Sequence, residues 1–361
     1  MYLSRLYLKN FRSIETLDLT FLPGKNVIVG RNNSGKSNII SAIDLVLGDS
    51  SPDYARSDNI SETDFFTRVV ADENGSGSEV AQELRIWCEL TRCSSESLDF
   101  DALYDCIGFN AVDSAKFGPR RRFDLNDLEQ RFDSVCDIED DEIPRTYINP
   151  KLRNQLKFEQ EFDDKYHFAF AFQAVRSGNG IEKKLRLLYR EDEHSGWILA
   201  LRATVRNALI QSAVIPSFRD PFSQLRVTNW SWYGKLLRHL TAGSLSLPNV
   251  EDAFIQLKEA ADAVFASARE RIERSTLSVA FPGTSISFQF STDRNSDIYK
   301  NCVIYVDDGF KSLLAEKGSG LQSATIIGLF CYYTKEVHIR GSAIMCVEEP
   351  ELYLIHMHVA S

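Results

Sequence analysis

Apolar and polar residues alternate through 2–9 and again through 15–21, the period of a strand with two unlike faces, so the chain is expected to open on a hairpin-like pair of strands. A short apolar run at 26–29, after the Pro23-Gly24 turn, predicts a third strand. From Ser37 to Leu47 the apolar residues recur at helical spacing, and Gly48 marks the end of a helix. Strand patterns return at 81–91, 166–175 and 183–190, and later at 285–290 and 302–306. Residues 319–333 read as a helix, and 342–347 as a buried apolar strand ending in acids. Strands mixed with helices, opening with antiparallel pairs and closing on a buried strand, indicate an α/β core sheet with an antiparallel accessory portion.

Two stretches stand apart from this pattern. Residues 93–165 are charged and loop-rich, with Arg120-Arg121-Arg122 and an acidic run at 137–142, and read as an insertion. Residues 250–273 carry Ala, Glu and Arg in a helical pattern after Pro248-Asn249, which fits either a projecting arm or an ordinary packed helix. The expected organisation is an N-terminal lobe (1–92), the insertion (93–165), a continuation of the core (166–248), the helical arm (249–275) and a C-terminal lobe (276–361).

Composition narrows the class. With 361 residues, 43% of them hydrophobic and 25% charged, the chain has the makings of a real core and the length for at least two lobes. A formal charge of -10 argues against a surface that tracks a phosphate backbone everywhere, though not against a local basic channel. The 7 Cys are an odd, scattered set and read as reduced, in a cytoplasmic protein. The first residues lack the apolar core of a signal peptide, and the most apolar stretch, 324–333, is shorter than the about 20 residues a bilayer requires.

Gly30-Arg31-Asn32-Asn33-Ser34-Gly35-Lys36-Ser37 matches G-x-x-x-x-G-K-[ST] between a predicted strand and a predicted helix, the context this phosphate loop requires. Its glycines let backbone N–H groups wrap phosphates, the helix N-terminus adds positive dipole, Lys36 reaches the outer phosphates and the Ser37 hydroxyl can ligate Mg²⁺. In Val347-Glu348-Glu349-Pro350-Glu351 a strand delivers adjacent carboxylates to its C-terminal end, where open α/β sheets bind ligands. Alone this is a solvated strand edge; beside a phosphate loop, one carboxylate can hold hydrated Mg²⁺ and the other polarise water. Glu316-Lys317-Gly318-Ser319-Gly320-Leu321-Gln322 feeds a helix and reads either as a plain N-cap or as a second anion site.

Taken in order, Asn10-Phe11-Arg12-Ser13, GRNNSGKSN, GSGLQ and VEEPELYL resemble the ABC-type ATPase domain of the RecF, SMC and OLD (overcoming lysogenisation defect) proteins. The stretches IPSFRD (215–220) and IYVDDG (304–309) bring the likeness closer to OLD-family ATPases, including the Gabija-type defence nucleases. The resemblance implies an ABC-type P-loop ATPase head with a mixed central sheet, antiparallel accessory strands and a helical arm. It further implies that two heads sandwich two ATP molecules, each bound by one subunit's phosphate loop and capped by the other's signature turn. Lys36 and Ser37 then serve as phosphate lysine and Mg²⁺ ligand, Glu348 as the Walker B acid, Glu349 as the catalytic base, and Ser319 with Gly320 as the contact in trans. Arg12 and Asn33 fall at nucleotide-contacting positions, and Gly30, Asn32, Ser34, Gly35 and Asn38 complete the cradle. Arg219 is either a further contact or an ion-pair partner of Asp220.

The chain also departs from that pattern. The family's Toprim nuclease domain has no room in the ten residues after Glu351, and no histidine stands where the family places a switch histidine, so nuclease activity is not expected of this chain alone. Where the family continues Leu-His-Pro, Leu354 is followed by Ile355-His356-Met357-His358, and that histidine pair lacks a third metal ligand. Lys116, Arg120, Arg121, Arg122, Lys183, Lys184 and Arg186 are the clusters available for DNA phosphates, with solvated surface charge as the alternative. The expected function is an Mg-ATP-driven homodimeric head controlling a DNA-directed nuclease or anti-phage activity through a Toprim or other effector. The alternatives are a non-hydrolysing, nucleotide-gated scaffold and a RecF-like DNA repair ATPase.

Overall fold

The computed structural model describes residues 1–48, 60–72, 75–91, 122–125, 127–136, 167–178, 180–190, 194–200, 210–215, 225, 231–241, 265–274, 281–290, 302–336 and 342–348. By its internal packing the chain divides into two units, residues 1–212 with 340–344 and residues 213–339 with 345–361.

The first unit is built on a seven-stranded sheet in the order β2-β1-β5-β7-β8-β9-β6. Its strands are β1 (Tyr2–Phe11), β2 (Ile14–Thr20), β5 (Glu83–Thr91), β6 (Arg122–Phe123), β7 (His167–Ser177), β8 (Gly180–Arg190) and β9 (Trp197–Leu199). Every neighbouring pair is antiparallel. Between β2 and β5 the chain forms the helix Lys36–Leu47 and a separate hairpin of β3 (Thr67–Asp72) and β4 (Gly75–Val80). The helix buries Ile39, Ala42, Ile43, Val46 and Leu47, the i, i+3, i+4, i+7, i+8 stripe of an amphipathic helix, and packs on β1 and β5.

The sheet has no solvated face at its centre. β7 is buried from His167 to Ala174, with Phe168, Phe170 and Phe172 turned one way and Ala169 and Ala171 the other. The second of these faces is covered by the described part of the predicted insertion. Phe123, Leu125, Leu128, Phe132, Val135 and Cys136 pack there with Tyr7, Trp87, Ala169, Ala171, Leu188 and Trp197. Trp87 meets Trp197 edge to face at 5.2 Å. Arg85, 5% exposed, binds Glu83 at 2.5 Å and Asp133 at 2.8 Å, which ties the short helix Asp133–Cys136 to β5.

The second unit holds the antiparallel sheet β11 (Ser285–Phe290), β12 (Cys302–Asp307) and β13 (Lys311–Leu313), with the helices Trp232–Thr241, 265–274 and Ser319–Glu336. Trp232, Tyr233, Phe265, Ile272, Phe288, Leu329, Phe330 and Tyr333 belong to one core, where Phe265 stacks on Phe288 at 4.7 Å. The described part of the 250–273 pattern is thus helical and buries Phe265, Ala268 and Ile272. β10 (Ile210–Ile215) and β14 (Ser342–Val347) form a two-stranded sheet, and the division between the units runs through both strands.

The third predicted strand is corrected. Among the described residues, 26–29 pair with no strand, and Val27 and Val29 are 75% and 88% exposed. The reason is local: the Asn26 side chain accepts from Leu22 N–H at 3.0 Å and donates back to the Leu22 carbonyl at 2.7 Å, closing a turn around Gly24 (φ +92°). An alternating or apolar run becomes a strand only when a ladder partner satisfies its backbone, and among the described residues none does so here.

Candidate nucleotide site

The loop Gly30–Ser37 sits at the head of the helix Lys36–Leu47, with Arg31, Asn32, Asn33, Ser34 and Ser37 exposed. Gly35 is the N-cap in the left-handed region (φ +89°), which glycine adopts without steric cost, and Asn33 shares that region at φ +62°. At Gly30 a Cβ would stand 2.7 Å from Ser34 Oγ, so any larger residue there would turn the Ser34 hydroxyl aside. No side chain caps the helix and its first turn carries no acid, which leaves an electropositive end of backbone N–H groups. The Lys36 ammonium turns back into the loop, donating to the carbonyls of Gly30 at 2.8 Å and Arg31 at 2.7 Å. This donor set fits a phosphate chain: exposed N–H groups, one ammonium and small side chains that let an anion approach.

The β1–β2 turn braces that loop. Ser13 Oγ accepts from Asn38 Nδ2 at 2.8 Å, and Arg12 Nη1 donates to Ser41 Oγ at 2.9 Å, both acceptors or donors lying in the first turns of the phosphate-loop helix. Arg12 itself is at φ +51° and half exposed. Arg12, Asn33, Lys36 and Asn38 are therefore brought together in one unit with the rest of the loop.

The signature turn is separately built. Ser319 begins the 18-residue helix Ser319–Glu336 and is exposed, as is Gly318, while Gly320 is buried with Phe281 3.3 Å from where its Cβ would be. Gln322 Nε2 holds the turn by donating to the carbonyls of Ala315 at 3.1 Å and Lys317 at 2.7 Å. Lys317 is pinned behind it, its ammonium on Asp308 at 2.5 Å and on the Phe310 carbonyl. That hydrogen bond, more than any other influence, holds the Asp308 carboxyl below the usual carboxylate range. Lys317 is thereby withdrawn from the anion end, which is left to Ser319 and the helix N–H groups.

Glu348 follows β14 directly and is half-buried, at the position expected of a strand-end acid. Glu349, Arg219, Lys116, Arg120, Arg121, His356 and His358 lie outside the described residues. Ser37 and Glu348 are the Mg²⁺ ligands expected from the sequence; Ser37 belongs to the first unit and Glu348 to the second. Among the described residues no cluster of three or more His, Cys, Asp or Glu side chains is placed to bind a metal by itself.

Some expectations fall to the inner face of the sheet. Arg186 is 8% exposed on β8, beneath the 122–136 segment, and is not a surface contact for DNA. Lys184 on the same face donates to the Cys136 carbonyl at 3.1 Å. His167 is buried, with Nδ1 3.2 Å from Thr91 Oγ1. The residues sequence reasoning missed are Asp64, Ser61 and Ser41. Ser61-Glu62-Thr63-Asp64 does carry a sequence signal, the S-x-x-[DE] spacing of a reciprocal cap before the apolar Phe65-Phe66.

The DNA replication and repair protein RecF of Halalkalibacterium halodurans is 32% identical over 127 residues, 35% of this chain and 33% of that protein. RecF of Salmonella arizonae is 54% identical over 43 residues, 12% of each chain. The matches thus span a third or less of these relatives. The chain is also similar to the Smc head domain from Pyrococcus furiosus solved with an extended coiled coil and the C-terminal domain of ScpA (13% identity, TM-score 0.42, 98% of this chain and 91% of that one). A structure of the recombination mediator protein RecF with ATP is similar over 97% of this chain and 85% of its own (12% identity, TM-score 0.39). Among the described residues no helix is long and apolar enough to cross a membrane. The profile of the AAA ATPase domain family matches residues 1–358, nearly the whole sequence, and the chain belongs to that family of ATP-binding ATPases.

Proposed function

We propose that the chain is the ATP-binding and ATP-hydrolysing head of an OLD- or RecF-like protein, which dimerises around Mg-ATP to control a DNA-directed activity in the cytoplasm. The observation that carries the reading is the exposed, glycine-closed loop 30–37 on an uncapped helix, braced by Arg12 and Asn38. In this reading Gly30, Asn32, Asn33, Ser34, Gly35, Lys36 and Asn38 wrap the phosphates, Ser37 and Glu348 hold Mg²⁺, and Glu349 takes a proton from the attacking water. Ser319 and Gly320 cap the partner's nucleotide; the exposure of Ser319 at a helix N-terminus supports a contact in trans. The five-segment organisation, from the 1–92 lobe to the 276–361 lobe, belongs to the same proposal.

The test is ATP turnover as a function of protein concentration, with Lys36→Ala and Glu349→Gln as controls. Rates that rise faster than linearly and vanish in both variants are expected. Binding without turnover at any concentration would replace the hydrolytic head by a nucleotide-gated scaffold for a separate effector. The sequence matches to RecF support a second reading, a DNA repair ATPase; an ATPase rate stimulated by gapped or ended duplexes over closed circles separates it from control of a nuclease.

A further inference from the structure

Asp64 ends the short turn Glu62–Asp64 and is only 6% exposed, so its carboxylate must be fully partnered. Its Oδ2 accepts from the Ser61 N–H at 2.8 Å and the Ser61 hydroxyl at 3.0 Å. Its Oδ1 accepts from Arg12 Nε at 2.8 Å, and its main-chain carbonyl accepts from the Arg12 N–H at 2.7 Å. Either side of that double link the backbones are joined again, by Phe66 N–H to the Asn10 carbonyl at 3.0 Å and by the antiparallel bridge between Phe11 and Phe65. Asn10 and Arg12 both sit at positive φ, +57° and +51°, a conformation that persists in non-glycine residues only when surrounding contacts over-determine it.

The consequence falls on the guanidinium. Asp64 fixes Nε and Ser41 fixes Nη1, the latter from a position one helical turn after Ser37 on the same face of the phosphate-loop helix. A planar cation held at two of its nitrogens has one orientation left, and its Nη2 edge has no partner among the described residues. We infer that Asp64 is a positioning residue for nucleotide binding: it holds Arg12 against the phosphate-loop helix so that the open edge of the guanidinium meets a nucleotide phosphate. The inference rests on the ATPase reading above. It also makes a prediction of sign. A carboxylate that acted only as a counter-charge would weaken an anion site, and its removal would tighten ATP; a positioning carboxylate does the opposite.

The experiment is ATP binding by calorimetry to the full chain, with apo thermal unfolding in parallel, for wild type, Asp64→Asn, Arg12→Ala, the double variant and Lys36→Ala. Expected is a roughly tenfold loss of affinity in Asp64→Asn, and a double variant no weaker than Arg12→Ala, because coupled residues are non-additive. Unchanged or tighter binding in Asp64→Asn, or an equal further loss when it is added to Arg12→Ala, overturns the inference. If Asp64→Asn does not fold, Ser61→Ala replaces it in the cycle. That change removes one donor to the carboxylate and leaves Arg12 untouched, and the same two criteria apply to a smaller loss. A Lys36→Ala chain that binds ATP like wild type instead refutes the phosphate-loop reading itself.

Discussion

The Lys36 ammonium donates to the Gly30 carbonyl six residues behind it, at 2.8 Å, and so closes the phosphate loop on itself. The bond to the Arg31 carbonyl at 2.7 Å points the same way, into the space that the loop's N–H groups surround. A lysine already directed there has only to exchange neutral carbonyls for phosphate oxygens, which form stronger, charge-assisted bonds.

Replacing Lys36 by Ala is therefore expected to weaken ATP binding by roughly 10- to 100-fold, the worth of a hydrogen bond to a charged group. The fold should be unaffected, since the ammonium anchors no core. Calorimetric titration beside a circular dichroism melt distinguishes the two effects.

Glycines at the two ends of the phosphate-loop helix are constrained for different reasons, and their alanine variants should differ. At Gly35 an added Cβ finds ordinary contacts, with Ser13 Oγ at 3.4 Å and Ile14 Cγ1 at 3.5 Å, so the penalty is that of φ +89° alone, about 1–2 kcal/mol. At Gly48 the backbone is unstrained, but a Cβ would lie 2.3 Å from the Asp44 carbonyl oxygen, and the helix end must move. Urea unfolding should rank Gly48→Ala below Gly35→Ala in stability.

Asp308 gives the signature turn a pH dependence. Its carboxyl is held below the ordinary value of 3.8, chiefly by the Lys317 hydrogen bond, so the ionised form stabilises the fold above that pH and the contribution is lost as pH falls further. Asp308→Asn removes it at every pH. The melting temperatures of wild type and variant should differ slightly at pH 7, with the gap narrowing only as pH falls below about 3.8, and the exposure of Asp308 keeps it small.

Cys136 behaves in the opposite sense. Burial beneath the sheet's inner face pushes its thiol up to about 12 from 9.0 and keeps it neutral. A neutral thiolate precursor is a poor nucleophile, so Cys136 should resist iodoacetamide at pH 8 until the first unit unfolds. Stability linked to this group is complete below pH 9 and declines as pH rises from about 9 towards 12. Peptide mapping of alkylated protein, native against urea-treated, reads the difference directly.

What the sequence made legible was local. The phosphate loop is eight consecutive residues between a glycine turn and a helical stripe, and Ser37 to Leu47 needs no distant partner to reveal its period. The strands 2–9, 15–21, 81–91, 166–175 and 183–190 were legible within a few residues at each end. The hairpin β3–β4 was not, since Gly75-Ser76-Gly77-Ser78 has loop composition and becomes a strand only by pairing with Thr67–Asp72. The 122–136 segment looked like part of a solvated insertion because its charges dominate the count, whereas Phe123, Leu128, Phe132 and Val135 decide where it lies. The link from Asp64 to Arg12 was out of reach for a simpler reason: the two stand 52 residues apart, and no spacing rule connects them.

The first unit is discontinuous in the chain: residues 340–344 complete what residues 1–212 begin. Synthesis from the N-terminus therefore delivers all seven strands of the large sheet by Leu199, long before the last piece of their unit is made. The sheet can form early, whereas β14, which pairs with β10, is made only after the whole of 213–339 has been laid down. Closing so long a loop is slow and is rewarded late, so the β10–β14 pair is expected to form after the larger sheet. A chain cut before residue 340 would leave both units unfinished, one for want of five residues.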